Sequence, residues 1–326
     1  MPDLITVGRV SLDLFSRDIG APFPQINSFE TSVGGSPVNI AIGASRLGMR
    51  SLAFTAVGDD EVGRFVRRYL AREGVDTAHI AVRAGRRTGM AVVGVQPPDK
   101  FPLLFYRENP ADIHLNLDDA QALPLDAARA LQLSGTAMSR GSAGDATLYL
   151  AEQARKLGLT TFLDLDLRPD QWTHALAYGL RMRRLLPLCD VVIGTEEECY
   201  AALSPDPSAV MAGGAVPDKQ KLEDLLGESA RNHAAALIVK RGAAGVSIVQ
   251  RQSRLDVPGF PVEIVNTVGA GDGFASGLIC GWARGWDWQR AARFGNACGA
   301  LVVSRQGCAR ALPTLREVED FLARNA

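Results

Sequence analysis

Six short apolar runs, Leu4 to Val7, Leu52 to Val57, Ala130 to Leu133, Thr161 to Leu165, Val191 to Ile193 and Ala236 to Val239, are separated by longer segments of helical character. This alternation most constrains the fold. Parallel strands need a long crossover, usually a helix, so the pattern predicts strand-helix-strand units around a parallel sheet buried on both faces. Ligands of such open sheets bind beyond the carboxyl ends of the strands. Those ends carry Ser134-Gly135, Asp164 and Asp166, Thr195, and Lys240-Arg241-Gly242. Any one of these polar residues is equally explained by a wet loop. A chain of 326 residues with 47% hydrophobic content is long enough to bury the core this arrangement needs.

Near the end of the chain, Asn266-Thr267-Val268-Gly269-Ala270-Gly271-Asp272 sets glycine-rich backbone against a carboxylate. The small, apolar stretch from Gly273 to Arg284 predicts a buried helix behind it. The N–H groups of Gly269, Ala270 and Gly271 then converge on an anion, backed by the positive end of the helix dipole. Asp272 beside a transferring phosphoryl group has an obvious use, which is to take a proton from the attacking hydroxyl. Taken alone, the loop is explained as well by a glycine turn with an aspartate cap. A second cluster, Gly34-Gly35-Ser36-Pro37-Val38-Asn39, changes that balance, because it also opens a helix, with Pro37 suited to the first turn.

With these two loops the chain resembles the ribokinase-like, or PfkB, family of sugar kinases. The resemblance runs nearly end to end. It extends to Val57-Gly58-Asp59-Asp60 with Gly63, Lys240-Arg241-Gly242 with Gly245, and Asn296-Ala297. It implies a single α/β domain over residues 1–326, with a central, mostly parallel sheet flanked by helices. A small β-sheet lid over the sugar is implied for segments of about 9–35 and 86–112. The residues agree with such a lid. Thr88 to Val95 and Leu103 to Arg107 read as a hairpin interrupted by Pro97-Pro98-Asp99-Lys100, outside the helical alternation. Pro205 to Lys219 reads as an exposed loop.

By resemblance, ATP and Mg²⁺ are the cofactors, Asp272 is the base, and Gly269, Ala270 and Gly271 form the anion hole. Lys240, Gly242, Gly245 and Asn296 are implied along the nucleotide, and Glu198 of Gly194-Thr195-Glu196-Glu197-Glu198 is implied near Mg²⁺. Most relatives have Asn where Thr195 stands. The helix dipole alone also explains three glutamates in a first turn. Asp13, Gly34, Gly35 and Asn39 are implied at the sugar. Tyr106-Arg107 and Asp164-x-x-x-Arg168-Pro169 resemble the members that act on keto-deoxy sugar acids. A carboxylate needs a guanidinium to hold it, and Arg107 and Arg168 are the candidates, with Tyr106 beside them. Many relatives have Asp at the position of Asn266, next to a monovalent cation, and the neutral Asn266 predicts a weak cation site here.

The expected activity is ATP-dependent phosphorylation of the terminal primary hydroxyl of a sugar acid. A related kinase for another keto acid or a neutral sugar is the near alternative; a non-catalytic sugar sensor or an oxidoreductase is the distant one. Against the oxidoreductase, Gly269-Ala270-Gly271-Asp272-Gly273 lacks dinucleotide glycine spacing and comes late in the chain. A Walker A loop is excluded because no Gly-Lys dipeptide occurs. Lys and Arg number 35 against 36 Asp and Glu, so no global charge points to nucleic acid or to a membrane. No apolar run is long enough for a bilayer span, and Met1-Pro2-Asp3-Leu4 is unlike a signal peptide, which leads to an expected cytoplasmic location. Five scattered cysteines and four histidines show no disulfide framework or metal spacing. Lid edges left exposed are edges that a homodimer through the lid could cover, and the sequence does not fix the oligomeric state.

Overall fold

The computed structural model describes residues 1–97, 100–232 and 234–325, so Pro98 and Asp99 of the expected hairpin turn, and His233, lie outside the described residues. In chain order the strands are β1 Leu4–Val7, β2 Ser11–Ser16, β3 Phe29–Gly34, β4 Ser51–Gly58, β5 Ile80–Arg83, β6 Gly89–Val93, β7 Leu103–Tyr106, β8 Ala130–Ser134, β9 Thr160–Asp164, β10 Val191–Thr195, β11 Ala236–Lys240, β12 Val246–Val249 and β13 Arg254–Val257.

Nine of them form one sheet in the order β13-β12-β11-β10-β9-β8-β1-β4-β5. Pairing is parallel from β11 through β5, and the last two strands, β12 and β13, turn back antiparallel at the edge. The six apolar runs of the sequence are all central strands of this sheet. Side chains alternate across it as a strand requires. Ile5 and Val7 enter the layer of helices Ala143–Leu157, Ala175–Leu185, Glu196–Leu203 and Lys219–Asn232, whereas Leu4 faces helices Ser36–Arg46, Ala270–Ala283 and Trp288–Val303. Both faces are therefore covered, and each fully buried Leu or Ile of these strands contributes about 1.5–3 kcal/mol.

The remaining four strands form a smaller sheet, β3-β2-β6-β7. Here β2 pairs antiparallel with β3 and parallel with β6, and β6 pairs antiparallel with β7. Its alternation decides what faces the large sheet. Asp13, Ala91 and Phe105 are in register on one face, and Phe15 and Val93 follow on that face and pack with Cys308 and Val268. The opposite face carries Leu104 and Tyr106.

Two expectations need adjustment. The helix expected from Gly273 begins at Ala270, so Asp272 sits inside its first turn. The segment from Pro205 to Lys219 is not wholly exposed, since it contains a one-turn helix, Ser208–Met211, and buries Val210 and Val216 in the core.

Candidate active site

The carboxyl ends of β1, β8, β9, β10 and β11 converge on the heads of helices Ser36–Arg46 and Ala270–Ala283. Gly269 caps the second of these in the left-handed region, at φ 88°. Ala270 N–H is turned back to the Thr267 carbonyl at 3.3 Å. Among the described hydrogen bonds the N–H groups of Gly269 and Gly271 have no acceptor, which leaves them as donors for an anion. Asp272 is half-buried and accepts from Asn39 Nδ2 at 2.7 Å. Loss of water, reinforced by the nearby Asp164 and Asp166 carboxylates, pushes its pKa up to about 7, against the pull of hydrogen bonds from Asn39 and Ser36. A carboxylate so placed is suited to accept a proton near neutral pH.

Lys240 ends β11 with its Nζ 3.4 Å from Asp164 Oδ1 and 3.5 Å from Glu198 Oε2. Burial opposes its charge, but Glu198 and Asp164 together hold its pKa above the ordinary lysine value. Ser36 Oγ donates to Asp164 Oδ2 at 2.5 Å, so the first glycine loop is tied to the same cluster. Glu198 closes a capping box with Thr195: Thr195 Oγ1 accepts from Glu198 N, and Glu198 Oε2 accepts from Thr195 N. Its Oε1 accepts from Leu167 N at 3.1 Å. Each of these oxygens keeps a lone pair. Among the described residues no cluster of three or more metal-ligating side chains occurs. Glu198 and Asp164, both beside Lys240 at the edge of the cavity described below, are nonetheless hard oxygen donors of the kind that hold Mg²⁺ through its waters, and in that way they fit the ion.

The cavity itself, of about 420 Å³, gathers Lys240, Gly242, Gly245, Asn296, Ala270 and Gly271, with Phe260 and Phe274 among its apolar walls. This volume is in the range of small-molecule sites. Gly245 has φ 87°, and a Cβ there would lie 2.2 Å from the Val257 carbonyl oxygen, so only glycine fits. Asn296 Nδ2 donates to the Val257 and Pro258 carbonyls at 3.1 and 2.9 Å, pinning the loop after β13 as a wall. A cavity of about 520 Å³ between Arg155, Asp190 and Arg251 is larger, but it opens at the amino ends of the strands, away from all of these groups.

On the side of the small sheet, Asp13 is buried, accepts from Ser11 Oγ at 2.6 Å, and has its pKa raised by burial. A Cβ on Gly34 would fall 1.8 Å from Asp13 Oδ2. Gly35, at φ 107°, caps the helix that carries Asn39. Arg168 Nη2 pairs with Asp166 Oδ1 at 3.0 Å. Asp166 sits in the left-handed region at φ 35°, where it also accepts from Thr136 and Ser134. Its pKa is held well below the usual carboxylate range by Arg168 and Arg9, which overcome burial.

Two expected sugar contacts stand apart. Arg107 is buried, with its Nη2 on both oxygens of Asp112 at 2.8 and 2.9 Å and its Nη1 on the Val10 carbonyl at 3.1 Å, so its charge is already matched inside the protein. Tyr106 lies on the outer face of the lid and is 63% exposed, opposite to Asp13. The period-two pattern of Leu103 to Tyr106 carries that signal, because the face of Phe105 cannot also be the face of Tyr106. Arg9, Ser36, Asp164 and Asp166 join the site although the sequence does not single them out as site residues. Asp164 and Asp166 are legible as polar strand ends and Ser36 lies within the first glycine cluster, whereas Arg9 is given no role in that reading.

A model of the pfkB family carbohydrate kinases matches residues 1–315. The chain belongs to this family. Among relatives of this pfkB kinase, 5-dehydro-2-deoxygluconokinase of Geobacillus thermodenitrificans is 36% identical, with 98% of this chain and 93% of that one covered. A putative ribokinase II from E. coli, solved in complex with ATP and Mg²⁺, is similar in structure, with a TM-score of 0.85, 26% identity, and 99% and 100% of the two chains covered. So is a fructokinase double mutant from Vibrio cholerae O395, in a form with fructose, ADP and potassium ion bound, at a TM-score of 0.84, 26% identity, and 99% and 98% covered. These neighbours share the large parallel sheet with its small companion sheet. Among the described residues no helix is long and apolar enough to cross a membrane.

Proposed function

We propose that this carbohydrate kinase transfers the γ-phosphoryl group of ATP to the terminal primary hydroxyl of 5-dehydro-2-deoxy-D-gluconate, a step of inositol catabolism in the cytoplasm. One observation carries the reading. Asp272 stands at the head of a helix next to the free N–H of Gly271, which lines the 420 Å³ cavity, while its carboxylate is held by Asn39 of the other glycine loop. A base, an anion site and a nucleotide-sized cavity thus meet at one point. The name of the Geobacillus relative supports the choice of sugar acid.

In this reading Asp272 takes the proton of the hydroxyl as it attacks, and the N–H groups of Gly269, Ala270 and Gly271 receive the charge growing on the transferring phosphoryl oxygens, Ala270 releasing its long bond to Thr267. Lys240 neutralises further charge from the side of β11. Mg²⁺, when bound near Glu198 and Asp164, supplies charge neutralisation at the ATP phosphates. Asp13 and the backbone at Gly34 and Gly35 hold the sugar hydroxyls, and Arg168 faces the acid end. The lid excludes water from the reacting atoms. The outer lid face, with Leu104, Tyr106 and Phe29 exposed, is where a second copy would dock. The test is incubation with ATP, Mg²⁺ and, separately, 5-dehydro-2-deoxygluconate, 2-keto-3-deoxygluconate and fructose, following ADP. Preference for either of the other two substrates overturns the assignment of the sugar acid; no ADP from any overturns the kinase reading.

A further inference from the structure

Arg107 commits Nη1 to the Val10 carbonyl and Nη2 to Asp112, which leaves only its buried Nε without a partner among the described residues. Two other guanidinium groups share Asp166, and they are held differently. Arg168 makes a close pair at 3.0 Å and donates to the Leu167 carbonyl at 2.9 Å. Arg9, just beyond the end of β1, reaches the same carboxylate with longer contacts, 3.4 Å from Nε, and 3.3 and 3.5 Å from Nη2 to its two oxygens. Well-made charge-assisted bonds are about 2.7–2.9 Å, so Arg9 is held less tightly on Asp166 than Arg168 is.

We infer that Arg9, side by side with Arg168 on Asp166 and roofed by the Phe105 ring of the lid, is the residue that reads the carboxylate of the sugar acid. The inference rests on the proposed function and names the specificity residue of that same site. Arg9 is only 6% exposed, and its Cζ lies 5.3 Å from the centre of the Phe105 ring, which fixes the plane of the guanidinium in a dry environment. Phe105 is on the lid face that carries Asp13, so lid closure and acid recognition share one wall. Arg168 adds a second unmet donor, because its Nε is buried without a partner among the described residues. The Arg9 backbone packs on the first glycine loop, since a Cβ on Gly35 would lie 2.5 Å from the Arg9 carbonyl oxygen, and the helix that Gly35 caps carries Asn39, which holds Asp272.

The test compares 5-dehydro-2-deoxygluconate with its C1 amide, which keeps the shape and loses the charge, in the full-length enzyme with ATP and Mg²⁺. Wild type that turns over neither substrate overturns the proposed function itself. With wild type active, Arg9→Met is expected to lower the acid-to-amide ratio of kcat/KM by about 30-fold, through KM for the acid with kcat nearly kept. Arg9→Lys keeps a charge against Asp166 but lacks the planar fork, and is expected to lose about 5- to 10-fold in the same ratio. If both substrates lose alike, and Lys restores both alike, Arg9 serves only to neutralise Asp166 and the inference falls. Should Arg9→Met fail to fold, the Arg9→Lys ratio decides alone: unchanged discrimination overturns the inference.

Discussion

Asn39 donates its side-chain amide to Asp272 Oδ2 at 2.7 Å, joining the first turns of two helices whose residues are 233 positions apart. The same Nδ2 lies 3.1 Å from Cys308 Sγ, and that sulfur lies 3.9 Å from Asp272 Oδ2. The carboxylate is thereby fixed from two sides before any substrate arrives. Fixed geometry is what lets a base act without first reorganising.

Replacement of Asp272 by Asn keeps this hydrogen bonding and removes the base, so turnover is expected to fall by about 10² to 10⁴ with sugar binding largely kept. Wild-type turnover should rise with pH through about 7, as the base ionises. The stability effect runs the other way. A folded pKa of about 7 lies above the unfolded value near 3.9, so the group's contribution is full below about pH 4 and lost as pH rises through 7. Asp272→Asn should therefore raise the melting temperature by about 2–4 °C at pH 8 and by less at pH 5. Near-normal turnover in this variant would remove Asp272 from the mechanism.

Gly34→Ala puts a methyl carbon 1.8 Å from the present position of Asp13 Oδ2, so the carboxylate has to move. KM for the sugar is expected to rise by about 10-fold or more, while KM for ATP, read in the separate cavity, stays within about 2-fold. A parallel rise in both constants would mean that the loop, rather than Asp13, was disturbed.

The six central strands and both glycine loops are legible in the sequence because strand burial and helix starts are local signals, written in runs of a few residues. The partnership of Arg107 is not. Asp112 is only five residues away, but the choice between an internal carboxylate and a substrate's depends on how the lid folds back over Val10. Arg9 is illegible for a similar reason, since its neighbours Asp166, Thr136 and Phe105 come from the ends of β9, β8 and β7 and meet only once the sheets are assembled. Tyr106 is the opposite case, where the strand alternation already points the side chain outward and the motif resemblance points it to the sugar.

Arg107→Met is accordingly expected to act on stability. It strands the Asp112 carboxylate, whose side chain is 2% exposed, at a cost of about 3–5 kcal/mol, read as a lower urea midpoint. Adding Asp112→Asn, which retains an acceptor for Val10 N–H, should recover more than half of that loss. A selective loss of acid turnover with an unchanged midpoint would return Arg107 to the substrate.

Glu198 closes a capping box, and the metal role proposed for it is separable from that cap. Thr195→Ala removes only the cap, and should cost about 1 kcal/mol of stability with the Mg²⁺ dependence unchanged. Glu198→Gln should in addition raise the Mg²⁺ concentration for half-maximal rate by about 10-fold. Identical Mg²⁺ titrations for the two variants would reduce Glu198 to a cap.

Asn266 makes the last case, because its side chain is fully buried and both ends are engaged: Oδ1 accepts from Val268 N at 3.0 Å and Nδ2 donates to the Gly307 carbonyl at 2.8 Å. The amide shapes the glycine loop without a net charge, in a fold where the Vibrio cholerae fructokinase structure holds potassium. A cation beside this loop would find at position 266 a neutral, fully engaged amide in place of a carboxylate that could offset its charge. Exchanging K⁺ for tetramethylammonium at constant ionic strength should therefore change the rate by less than about 2-fold, and Asn266→Asp should introduce a saturable K⁺ activation. A several-fold, saturable activation of the wild type by K⁺ would overturn this, and would mean that the backbone carbonyls of the loop suffice to bind the ion.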